Sequence, residues 1–112
     1  MIKDDSIFLN HISNSIEEIE KNISNISFIE FNENVSTQDA VIRRLEIIGE
    51  AIRNLSDETK QKYPQIPWRD IMDTRNKLIH DYFGVDINLV WEMANKDIPL
   101  LKTEIEKILK TL

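Results

Sequence analysis

The sequence contains no cysteine, so neither a disulfide nor a thiolate metal site belongs to its chemistry. Its two glycines, Gly49 and Gly84, stand far apart, which excludes a long glycine-rich phosphate loop. Three prolines in 112 residues leave long stretches free to be helical. No apolar run approaches the ~20 residues that span a bilayer. The opening MIKDDSIFLNHISNS lacks a basic stretch followed by a continuous apolar core, so no secretory signal is expected. These absences predict a soluble, cytoplasmic chain without membrane association. Basic residues are in the minority too: 14 Lys and Arg stand against 20 Asp and Glu, for a net charge of −6. Proteins that grip long nucleic acid through many phosphates are usually basic, because binding rests on counterion release. Broad nucleic-acid binding is therefore disfavoured. A small, locally basic site is not.

What is present is helical pattern. With 41% hydrophobic residues and much Ile, Leu, Glu and Lys, the composition predicts an all-α fold in a single domain over residues 1–112. Over residues 5–26, Ile12, Ile16, Ile19, Ile23 and Ile26 recur at spacings of four and three, one apolar stripe on a helix. SFIEFNENVS reads as a short helical turn and then a loop, with Ser36 and Asp39 capping the next helix. That helix, Thr37–Asn54, carries the stripe Val41, Leu45, Ile48, Ile52 and Leu55, and its interior Gly49 suggests a close neighbour. SDETKQKYPQIP reads as a capped turn and a connection. Pro67 or Trp68 opens a third helix through WRDIMDTRNKLIHDYF, ended by Gly84. Asp86 caps a fourth, INLVWEMANKD, which Pro99 either kinks or follows with a fifth, LLKTEIEKILKTL. The expected architecture is an antiparallel bundle of four to five helices.

The stretch with chemistry in it is RNKLIHDY, Arg75 to Tyr82, which holds one of only two histidines. At about 100° per residue, Asn76 and His80 share a helix face. Arg75 and His80, five apart, diverge by about 140° and would not converge in a straight helix. Either the helix end loosens near residues 81–84, or a second copy completes the site across a two-fold axis. Histidine exchanges a proton near neutrality. Arginine holds a phosphate through parallel hydrogen bonds, and asparagine can orient a phosphate or hydroxyl. No carboxylate set accompanies His80 at metal-ligand spacing, so neither a metal nor a cofactor is expected. These groups suit phosphodiester cleavage by the 2′-hydroxyl of RNA, which needs a base, an acid and charge stabilisation. One such histidine per chain leaves that reaction a proton-transfer group short, and a symmetric dimer would supply the second. Taken alone, an Arg and a His on one helix are more often surface or capping residues, and His80 near a helix C-terminus could simply complement the dipole.

The run RNKLIHDYF resembles the R-x4-H-x-Y motif of HEPN-domain proteins, in particular the HepT-like toxins paired with a minimal nucleotidyltransferase. TQDAVIRRLEIIGEAIRNLS resembles the second-helix signature of that family, PWRDIMDTRNKLIHDYFGVD its central block, and VWEMANKDIPLLKTEIEKIL its C-terminal helix pair. The similarity covers roughly residues 37–110, three blocks in the family's order. It implies a HEPN-like fold in a two-fold homodimer whose motifs line one cleft. It further implies a metal-independent endoribonuclease, the toxin of a type VII toxin–antitoxin system, with Arg75 and His80 as the catalytic pair and Asn76 in support. Tyr82 matches the tyrosine that the partner nucleotidyltransferase, the antitoxin, modifies with AMP. RNA and that antitoxin would be its partners. The alternative is a non-catalytic subunit of a nucleotidyltransferase that binds nucleotide or substrate and uses the Arg–His pair only to contact phosphate.

Five further residues bear weighing. Glu46 and Glu50, four apart, read as a solvated face or as partners of Arg43 or Arg53 before any acid–base pair, though Arg44 and Glu50 fall within the resembled helix signature. Trp68 and Trp91 read as core or dimer contacts, with base-stacking the lesser option. His11, beside the isoleucine stripe, reads as structural or exposed.

Overall fold

Asp5, Leu9, Ile12, Ile16 and Ile19 alternate spacings of four and three, which sets all five on one helix face. In the computed structural model, which describes residues 3–73 and 86–112, that face is buried: the four apolar members are at most 1% exposed. The helix, α1, runs Lys3–Ile23. It ends where Asn25 takes a left-handed backbone at φ 62°, a conformation asparagine tolerates better than most residues. Ile26, expected inside the helix, lies beyond this turn and is only half-buried.

The SFIEFNENVS stretch opens with the expected short helical segment, α2, Phe28–Glu33, but the loop expected after it shrinks to Asn34 alone. A reciprocal capping box starts α2: the Glu30 amide donates to Ser27 Oγ (3.2 Å) and the Ser27 amide to Glu30 Oε1 (3.1 Å). Phe31, fully buried, anchors it to the core. Helix α3, Val35–Asn54, is capped by Asn34 and not by Ser36. Asn34 stands between two helices with extended backbone, so its Oδ1 can accept the Thr37 amide at 3.0 Å, whereas Ser36 already lies inside the helix. The buried Gln38 closes the junction, its Nε2 donating to the carbonyls of Phe31 (2.9 Å) and Asn32 (3.0 Å). Gly49 is buried with Ile48 and Ile52 on α3, whose main partner is α1.

The capped turn expected in SDETKQKYPQIP is present and extends to a short helix: α4, Asp57–Lys62, starts at Ser56, whose Oγ accepts the Thr59 amide at 3.1 Å. Residues 68–73 are again helical (α5). Asp86 caps α6, Ile87–Glu92, accepting the Leu89 amide at 3.2 Å, as its spacing predicts. Between α6 and α7, Ile98–Lys110, one wide π-turn covers Met93–Asp97. Pro99 has no amide hydrogen and its ring crowds the carbonyl four residues back. The backbone widens there, and the Ile98 amide bonds to the carbonyl of Met93. Pro99 thus does both things expected of it: it interrupts one helix and stands in the first turn of the next.

All regular structure among the described residues is helical, and one core joins α1, α2, α3, α6 and α7 with Ile66 and Trp68. The fold is all-α, as expected. No helix among the described residues is long and apolar enough to cross a membrane. One core position is suboptimal: Ser15 Oγ is buried with no hydrogen-bond partner among the described residues. A buried hydroxyl left unpaired costs about 1 kcal/mol or more, and alanine is the better helix former. Ser15→Ala should therefore raise the urea midpoint; a lower midpoint would show that the hydroxyl has a bonding role.

Candidate functional site

Arg75, Asn76, His80 and Tyr82 lie outside the described residues, as do the expected end of the third helix and the Gly84 cap. What the structure shows is how the chain is held on either side of them. Upstream, the buried Trp68 opens α5, and its Nε1 donates to the Tyr63 carbonyl at 3.2 Å. The Trp68 amide bonds to the Ile66 carbonyl (2.8 Å) and the Ile71 amide to that of Pro67 (3.1 Å), so the first turn is fixed by both backbone and side chain. Downstream, Asp86 caps α6, Val90 is fully buried, and the Trp91 ring lies 5.0 Å from Phe31 and 6.0 Å from Phe28. Trp68 belongs to the core and Trp91 packs against it, the first of the roles expected of them.

Two concave surfaces flank α5. One, about 500 Å3, is bordered by Lys60 and Arg69 and also by Asp57 and Asp70, so neither sign of charge dominates it. The other, about 450 Å3, lies between the 65–71 stretch, the π-turn and α7. In it the Asp97 carboxyl is held above its ordinary range by partial burial and by the nearby Glu92, with Lys96 opposing. A third concavity of about 310 Å3 lies between α1 and α3 and holds His11, Arg43, Glu46, Glu50 and Asn54. Glu46 pairs with Arg43 at 4.0 Å and Glu50 accepts from Asn54 Nδ2 at 3.5 Å, which fits the solvated, ion-paired reading of these carboxylates. His11 is exposed, with its ring edge-on to Phe8 at 6.0 Å. Among the described residues, no three or more His, Cys, Asp or Glu side chains are grouped so as to hold a metal ion.

One cluster escaped the sequence reading. Asp5, 2% exposed, accepts from the Ser56 amide (2.9 Å), from Ser56 Oγ (2.6 Å) and from Thr59 Oγ1. It ties the start of α1 to the cap of α4, two segments 51 residues apart. The signal was there, since Asp5 extends the Leu9–Ile12–Ile16 stripe by one turn and a carboxylate on an apolar stripe must find donors.

The comparisons agree with this architecture. A family model described as "Ribonuclease HepT-like" matches residues 12–108. A Methanocaldococcus jannaschii protein named "Gamma-glutamylcyclotransferase and putative RNase" is 52% identical over all of this chain, which spans 50% of that relative's length. A Thermococcus cleftensis protein named "Probable ribonuclease HepT" is 47% identical over 92% of this chain and 94% of its own. A "Putative RNase" of Caldanaerobacter subterraneus is 40% identical over 92% of both chains. No solved structure matches.

Proposed function

This chain belongs to the HepT-like ribonuclease family, and we propose on that footing that it is a metal-independent endoribonuclease toxin, folded as one domain over residues 1–112. The observation that carries this reading is the coincidence of two things: the family match spans 12–108, and the run Arg75-x4-His80-x-Tyr82 falls inside it. The 2′-hydroxyl of RNA attacks the adjacent phosphorus. The O2′–P bond forms, the P–O5′ bond breaks, and a 2′,3′-cyclic phosphate and a 5′-hydroxyl result. A base takes the proton of the 2′-hydroxyl and an acid supplies one to the leaving oxygen. His80 fills one of these roles, and a second copy of the chain brings another His80 for the other. Arg75 neutralises the charge that grows on the phosphate oxygens, and Asn76 orients the phosphate.

The direct test incubates the purified, unmodified protein with RNA, with and without EDTA. Cleavage in both arms, with cyclic-phosphate ends, is expected. RNA binding without cleavage would favour the non-catalytic subunit instead. Sedimentation at micromolar concentration should give a dimer, and a stable monomer would remove the shared site.

The same reading makes the chain the toxin of a type VII pair whose nucleotidyltransferase antitoxin silences it. The phenol oxygen of Tyr82 attacks the α-phosphate of ATP, AMP is transferred and pyrophosphate leaves. The added phosphate competes with RNA for Arg75, and the purine blocks the approach. Tyr82→Phe should keep nuclease activity yet resist silencing and gain no mass with partner and ATP. Modification mapped to Tyr63 instead would sink this part.

A further inference from the structure

The groove of about 450 Å3 between the 65–71 stretch and α7 has an apolar floor, with Ile66, Met93, Ile98 and Leu101 each at most 3% exposed. Leu100 stands at its lip, 71% exposed, the most exposed large apolar side chain among the described residues. Carboxylates complete the lip: Asp70 from α5, Asp97 at the end of the π-turn and Glu104 nearly two turns into α7. Glu104 is held toward the mouth by Gln65, whose Nε2 donates to it across the groove at 3.3 Å, although Lys107 on its own helix also pairs with it at 3.4 Å. Asp97 is partly buried near Glu92, and Lys96, which pairs with Glu92 at 3.5 Å, offsets part of that charge.

The charge selects the occupant. RNA brings phosphates, which three carboxylates repel. A second copy of this chain related by a two-fold axis would set the patch against itself, carboxylates included. An apolar floor with an acidic rim instead matches an amphipathic helix carrying cations at its edges. We propose that this groove docks an amphipathic, lysine- or arginine-bearing segment of a partner protein, with its apolar residues over Leu100 and Leu101 and its cations against Asp97 and Glu104. The inference does not depend on the nuclease reading.

The probe is a fluorescein-labelled helical peptide of leucine and lysine, beside a leucine–glutamate counterpart, with fluorescence anisotropy as the readout. The lysine peptide should bind, and the Asp97→Lys/Glu104→Lys variant should bind it about tenfold more weakly or less tightly still. A control with the same change of charge outside the groove, Glu33→Lys/Asp39→Lys, should bind nearly as the parent does. Leu100→Gln should weaken binding and leave the sedimentation coefficient unchanged. On the unaltered protein, carbodiimide should cross-link peptide lysines to Asp97 or Glu104, a readout that does not depend on how the variants fold. Equal losses in both double variants, equal binding of the glutamate peptide, cross-links mapped elsewhere, or an assembly that Leu100→Gln dissociates would each overturn the proposal. The last outcome would make the groove a contact between copies.

Discussion

If the proposed mechanism holds, replacing His80 with alanine is expected to lower RNA cleavage by about 100-fold or more, because the reaction would lose a proton-transfer group in each copy. Arg75→Ala should cost a similar factor for a different reason, the loss of a fixed cation on the developing phosphate charge. The two variants should separate by pH. Without Arg75 the remaining activity still follows a histidine titration, whereas without His80 that limb of the profile disappears. His11→Ala is the internal control, since this exposed ring on α1 packs edge-on against Phe8 and should contribute nothing to cleavage. Single-turnover cleavage of a labelled RNA would measure all three. Were His11→Ala as damaging as His80→Ala, the active histidine would be misassigned.

Asp5→Ala is expected to destabilise the fold by about 2–4 kcal/mol at neutral pH, the range for removing a buried charged acceptor and stranding its donors. Burial by itself would raise the Asp5 pKa. The hydroxyls of Ser56 and Thr59 and the Ser56 amide outweigh it, and the carboxyl is held below its ordinary 3.8. The sign follows from that direction. A group whose pKa is depressed on folding stabilises fully above its unfolded value and loses that contribution as pH falls through the folded one. The gap between parent and Asp5→Ala should therefore be widest at neutral pH and narrow in acid below about pH 4. Asp5→Asn keeps one acceptor oxygen and should fall between the two. Urea midpoints at pH 7 and pH 3 test this directly, and a gap that stayed constant across that range would mean the carboxylate's charge plays no part.

The sequence by itself determined whatever depends on neighbours within a turn or two. The spacings of Ile12, Ile16 and Ile19 and of Val41, Leu45, Ile48 and Ile52 were enough for two helices and their buried faces, because a helix maps spacing directly onto direction. Asp86 declared its cap, and Pro99 its interruption, through chemistry confined to a few bonds. The Arg75–His80–Tyr82 run was legible as well, as a pattern of side chains along one segment. Only the tertiary structure decided the rest. The sequence does not say that Asp5 meets Ser56, because positions 51 apart are brought together only by the packing of α1 against α3. Phe31 holds the short α2 helix in place because burying its ring offsets the entropy of ordering six residues, a gain no local window contains. The acidic groove has the same origin. Gln65 and Glu104 are 39 residues apart, and they face each other across one mouth only because the fold sets the 65–71 stretch opposite α7 and the π-turn.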